Sequence, residues 1–186
     1  MAGSETRSAT ATQDVALIVG GGPGISSSCA RLFADQGMRV GVAARTPGKP
    51  VLLNIEKSHG VRLYACDAAE PAAVELLFQN VVRDLGAPTL VVHNIDGRVP
   101  GIFGKRITDA NPIMALETLR NAAFSAFLVG QQAARYMRDN TPSSNGGKGT
   151  IIITNASAAL KGFPSSGAMP WPVMPNPASH KAWRGS

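Results

Sequence analysis

Aromatic residues make up only 5% of the chain, charged residues 16%, and cysteine occurs twice. The two cysteines, Cys29 and Cys66, form no metal-ligand spacing, so a zinc centre built on thiolates is excluded and a reduced, cytoplasmic setting is expected. No apolar run is long enough to cross a bilayer, and the N-terminus lacks the apolar core of a signal peptide. The net charge is +6, from 18 Lys+Arg against 12 Asp+Glu. With no extended Lys/Arg run and so few aromatics to stack on bases, this balance points away from nucleic acid and towards an anionic small molecule. Neither a nucleic-acid nor a membrane partner is expected.

What is present is a globular amount of apolar residues, 44% of 186, enough for one domain with a core. The stretch that organises the rest is Asp14 to Ser26. Five apolar residues, Val15 to Val19, precede a turn through Gly20, Gly21, Gly22, Pro23 and Gly24, and a helical pattern starts at Ile25 with Cys29, Ala30, Leu32 and Phe33 on one side. This reads as a buried strand, a tight glycine turn and a helix start. Glycines let backbone come close to a phosphate, and the first N–H groups of a helix point at it.

The pattern then repeats. Arg39–Ala44 reads as a second strand, and a helix is expected near Pro50–Ser58. Val61–Ala65 is a third strand ending at Cys66-Asp67. Pro71 opens a helix whose apolar face is Val74, Leu77, Phe78, Val81 and Leu85. Leu90–His93 is strand four, a long apolar helix is predicted over 112–138, and Thr150–Thr154 is strand five. Strands too apolar to face water, alternating with helices, imply an α/β, doubly wound parallel sheet of Rossmann type. The expected organisation is a tail over 1–13, a dinucleotide-binding domain over 14–167, and an irregular Pro-rich tail over 168–186. Ligands bind such sheets at the carboxyl ends of the strands, where Gly20, Gly22, Gly24, Arg45, Asp67, Asn94 and Ser157 fall.

In these motifs the chain resembles a short-chain dehydrogenase/reductase over roughly residues 14–163. The family pattern Thr-Gly-x-x-x-Gly-x-Gly corresponds to Val19-Gly20-Gly21-Gly22-Pro23-Gly24-Ile25-Ser26, with Val19 for the threonine and Ser26 for the last glycine. Asp67 matches the family's aspartate near the adenine ring. His93-Asn94-Ile95-Asp96-Gly97 is a loose version of its Asn-Asn-Ala-Gly loop. Asn121 matches the asparagine of its proton relay, and Gly149–Ser157 resembles the strand that leads to the catalytic serine. The resemblance implies an oxidoreductase moving hydride between a nicotinamide dinucleotide and a carbonyl or alcohol. Cofactor-binding residues would be Gly20, Gly22, Gly24, Ile25, Arg45, Asp67, Asn94 and Gly97, and catalytic residues Asn121 and Ser157. Strand two closes on Ala43-Ala44-Arg45 with no acidic residue to bind a ribose 2′-OH, and Arg45 offers a guanidinium suited to a 2′-phosphate, so NADP is favoured over NAD.

The chain departs from the family in its chemistry. The family transfers a proton with a Tyr whose pKa is lowered by a Lys four residues later, yet the only tyrosines here are Tyr64 and Tyr136, in strand three and the long helix. A gapless match puts Ala156 at the serine position, leaving Asn155 and Ser157 as the nearby polar groups. From Pro170 to Pro177 four prolines fall within eight residues, which prevents the helix the family has there. Pro170–Gly185 can be read in a shifted frame as an amphipathic helix with an early lysine. The expectation is therefore a sheet truncated after strand five, a frameshift-derived tail and impaired catalysis. The alternatives are a non-catalytic dinucleotide-binding module and a scaffold that forms a homo-oligomer through helix 112–138.

Overall fold

The computed structural model describes residues 14–102 and 105–155. The predicted tails over 1–13 and 168–186, and Ser157 with them, lie outside the described residues. The elements run β1 (Val15–Val19), α1 (Ile25–Asp35), β2 (Arg39–Ala44), α2 (Pro50–His59), β3 (Arg62–Ala65), α3 (Pro71–Asp84) and β4 (Leu90–His93). A 3₁₀ turn (Ile107–Asp109), α4 (Pro112–Leu119), a π-helical turn (Arg120–Phe124), α5 (Ser125–Met137) and β5 (Thr150–Ile153) complete the order.

The five strands form one parallel sheet in the order β3-β2-β1-β4-β5. The reversal of direction from β1 to β4 is the switch point at which such sheets bind ligands. β1 is buried along its whole length because both of its faces are covered. Val15, Leu17 and Val19 pack with Val74, Leu77, Phe78 and Val81 of α3 and with Val129 and Ala133 of α5. Ala16 and Ile18 face the other way, towards Ala30 of α1 and Leu52 and Ile55 of α2. Each large apolar side chain so buried contributes about 1.5–3 kcal/mol. Phe78 also stacks on Tyr136, with ring centroids 5.8 Å apart, fastening α3 to α5.

Helix ends follow local chemistry. Pro50 and Pro71 stand in the first turns of α2 and α3, where a missing N–H costs nothing. Gly60 closes α2 in the left-handed conformation at φ 65°, and its N–H bonds to Glu56 O. Asn111 caps α4 by accepting from the N–H groups of Ile113 and Met114.

Two expectations are corrected. Cys29, Ala30 and Phe33 of α1 face the core as expected, joined by the buried Ser26 and Ser27, while Leu32 is 57% exposed. Ser26 and Ser27 are small and let the first turn sit close against the glycine turn, and helical spacing turns Leu32 away from the face that Ala30 and Phe33 share. The long helix is not regular either, because the π turn inserts at Arg120–Phe124 and separates α4 from α5. Ile151, Ile152 and Ile153 of β5 are 38%, 44% and 44% exposed. β5 is the sheet's edge among the described residues.

Candidate functional site

The carboxyl ends of the strands open into a cleft of about 660 Å³, within the range of roughly 300–1,000 Å³ usual for small-molecule sites. Of the residues singled out from sequence, Gly20, Gly22, Gly24, Ile25, Arg45, Asp67, Asn94, Gly97 and Asn121 all line it.

The glycines of the turn do different work. Gly20 has φ +104°, and a Cβ there would stand 2.2 Å from the Asn94 carbonyl oxygen, so the turn lies directly on the end of β4. A Cβ on Gly22 or Gly24 would meet nothing within 4 Å. These two leave open space beside the start of α1, the room a phosphate needs. The N-cap position of α1 is Gly24, with no side-chain cap and no acidic residue in the first turn. Its first N–H groups are therefore available to an anion, supported by the helix dipole. The hydroxyls of Ser26 and Ser27 donate to the carbonyls of Gly20 and Gly22 at 2.7 and 2.5 Å, which draws both acceptors back against the helix.

At the β2 end the cleft holds Arg45, Thr46 and Lys49. Arg45 is exposed and makes no hydrogen bond or ion pair among the described residues, so its guanidinium is free for an anionic ligand. Asp67, just past β3, accepts from the Ala69 N–H at 3.0 Å, which orients its carboxylate over the same end. Cys66 beside it is buried, and burial followed by the Asp67 charge pushes the thiol up to about 11. It stays a neutral thiol at ordinary pH and is a poor nucleophile.

At the β4 end Asn94 spends both ends of its amide on neighbours. Its Nδ2 donates to Ser26 Oγ at 2.7 Å, and its Oδ1 accepts from Thr154 Oγ1 at 2.8 Å. Asp96 and Arg98 pair across the loop, and hydrogen bonding from Arg98 holds the Asp96 carboxyl below its usual range. Gly97 lies against the π turn, for a Cβ there would stand 2.5 Å from the backbone nitrogen of Ala122. This contact brings Asn121 to the cleft wall. π turns concentrate at functional sites, and this one sits on the helix residue singled out from sequence.

Neither tyrosine reaches the cleft. Tyr64 is buried on the α3 side and donates to Asp84 Oδ2 at 3.3 Å; burial, then the Asp84 charge, pushes its phenol up to about 12. Tyr136 is held in the Phe78 stack. No group of three or more His, Cys, Asp or Glu that could hold a metal ion occurs among the described residues. No helix among them is long and apolar enough to cross a membrane.

Comparison with known proteins bears on this arrangement. A short-chain dehydrogenase/reductase family model described as enoyl-(acyl carrier protein) reductase matches residues 20–171. The chain belongs to the short-chain dehydrogenase/reductase family. Among solved structures, it is similar to an NAD⁺-bound xylitol dehydrogenase, with TM-score 0.71 and 25% identity over 84% of this chain and 58% of that one. It shares its fold with a short-chain dehydrogenase/reductase from Serratia marcescens, at TM-score 0.67 and 22% identity over 85% of this chain and 62% of that one. The fold is shared too with an NADH-dependent reductase solved in complex with NAD, at TM-score 0.72 and 19% identity over 84% and 65% of the two chains. The chain thus spans 58–65% of the length of these family members.

Sequence reasoning missed three hydrogen-bonding groups beside the cleft: Ser26, Thr154 and His93. His93 is 2% exposed at the end of β4, with Nε2 2.8 Å from Ser125 Oγ. The one available signal was Ser26 itself, a polar residue where the family pattern has glycine. The other two depend on contacts that span 32 residues for His93 with Ser125 and 60 for Thr154 with Asn94.

Proposed function

We propose that the cleft binds a nicotinamide dinucleotide, NADP(H) in preference to NAD(H), with the pyrophosphate at the start of α1. The observation that carries this is convergence. A glycine turn with open space at Gly22 and Gly24, an uncapped helix start and an uncommitted Arg45 share one cleft at the switch point of the sheet. In this reading Arg45 receives the 2′-phosphate, Asp67 faces the adenosine, and Asn94, Gly97 and Asn121 flank the nicotinamide end. Two similar structures, the xylitol dehydrogenase and the NADH-dependent reductase, were solved with NAD bound. The preference for NADP here rests on Arg45 and on the absence of an acidic residue at the end of β2, since a carboxylate there would repel a 2′-phosphate.

Such a cofactor supplies hydride chemistry, and the substrate class that goes with it is a carbonyl or an alcohol. Asn121, and Ser157 beyond the described residues, are the groups of this chain assigned to catalysis. Hydride transfer to a carbonyl needs a proton delivered to the oxygen, and both tyrosines are held away from the cleft. That observation supports a second reading for the chain as it stands: a dinucleotide-binding module with impaired turnover. Self-association through α4 and α5 belongs to the same proposal. Ile113, Leu116, Phe124 and Phe127 are 75%, 67%, 41% and 59% exposed there.

Titration with NADPH and NADH, followed by their fluorescence, tests binding. Turnover with a panel of carbonyl compounds then separates the two readings. NADPH oxidation by the purified chain would favour the enzyme, and binding without oxidation the module.

A further inference from the structure

Four hydrogen-bonding groups run in line across the strand ends. Thr154 Oγ1, just past β5, donates to Asn94 Oδ1 at 2.8 Å, the shorter of the two bonds that compete for its single proton. Asn94 Nδ2 donates to Ser26 Oγ at 2.7 Å, and Ser26 Oγ donates to Gly20 O at 2.7 Å. Each hydroxyl proton is used once and the direction is the same throughout, so the chain of bonds is self-consistent. Ser26, at the centre of the line, is 1% exposed, while Asn94 and Thr154 are half-buried.

The geometry points to Ser26 as a positioning residue of the nucleotide site, a role that rests on the dinucleotide reading above. Ser26 sits in the first turn of α1, whose free N–H groups face the proposed pyrophosphate position. Its side chain fixes that turn in two directions: back to the glycine turn through Gly20, and across to β4 and β5 through Asn94 and Thr154. The family pattern has glycine here, and a glycine offers no side chain for either bond. In this chain the pyrophosphate end and the nicotinamide end are therefore tied by side chains, while the Arg45 end lies outside the tie.

That division supplies the test. Affinities of the full chain and its variants for NADPH and for adenosine 2′-monophosphate are measured side by side. The second ligand has no pyrophosphate and engages only the Arg45 and Asp67 end. Ser26→Ala, which removes the bonds to both Gly20 and Asn94, is expected to weaken NADPH binding about five- to hundredfold, and to leave adenosine 2′-monophosphate unchanged. Thr154→Val, which removes one bond of the line, is expected to weaken NADPH binding about two- to tenfold, again with adenosine 2′-monophosphate unchanged, and Thr154→Ser, which keeps the hydroxyl, to bind as the unaltered chain does. Should Ser26→Ala not fold, the Thr154 pair still decides. Equal losses for both ligands would reduce the tie to a purely structural role and overturn the inference, as would unchanged NADPH binding, or a Thr154→Val chain that matches Thr154→Ser. Failure of the unaltered chain to bind NADPH is a different result: it removes the dinucleotide reading itself, and the positioning role with it.

Discussion

His93 and Ser125 join the end of β4 to the start of α5 through a 2.8 Å contact between Nε2 and Oγ. The Ser125 hydroxyl donates to the Asn121 carbonyl at 2.6 Å, so the proton in the His93 contact belongs to Nε2. Nδ1 is then a bare lone pair, buried and without a hydrogen-bond partner. Burial pushes the His93 pKa down to about 4.

This lowered value gives a pH dependence. The unfolded chain takes up the His93 proton near its ordinary pKa of about 6.5 and the folded chain only near 4, so stability is lost as pH falls between the two. The loss from this group is expected to reach about 2 kcal/mol between pH 7 and pH 5. Urea unfolding at the two pH values, compared with His93→Gln, checks it. The variant is to show a smaller difference, and an equal difference in both proteins would acquit His93.

Gly20 and Gly22 are expected to respond in opposite ways. Gly20→Ala forces a side chain at φ +104° against the Asn94 backbone and the Ile95 side chain, and is expected to cost about 2–4 kcal/mol of stability. Gly22→Asp enters open space, so unfolding is to shift by less than about 0.5 kcal/mol. Its added charge and bulk stand where the phosphate would be, and nucleotide binding is to fall steeply. Denaturant melts of the two variants, with a nucleotide titration of the second, read both effects.

The apolar runs at Val15–Val19 and Leu90–His93, the early prolines and the face of α3 carry local patterns with one structural answer, and so the parallel sheet was legible. So was the convergence of Gly20, Arg45, Asp67 and Asn94, because strand ends gather whatever follows the strands. The π turn was not, since Arg120–Phe124 carries ordinary helix-forming residues and the extra residue answers to packing on Gly97. Nor was the line from Thr154 to Ser26, whose parts lie far apart in the chain and meet only once the sheet is built.

The apolar stripe on α4 and α5 is expected to drive self-association. Phe124 and Phe127 stack with ring centroids 6.4 Å apart while both stay exposed. Replacing both with Glu, Phe124→Glu with Phe127→Glu, is expected to shift the chain towards monomer in sedimentation velocity, because two charges per copy would be desolvated in any contact there. An unchanged distribution would place the contact elsewhere.

Paired titrations of NADPH and NADH into the chain and into Arg45→Asp test whether a dinucleotide site exists here and whether Arg45 sets its preference. The chain is expected to favour NADPH by about tenfold or more, the worth of one charge-assisted contact. Arg45→Asp is expected to reverse the order, because the new carboxylate repels a 2′-phosphate and accepts from a 2′-OH. The same preference in both proteins would show that Arg45 does not select the nucleotide, and no binding of either by the unaltered chain would show that the cleft is not a dinucleotide site.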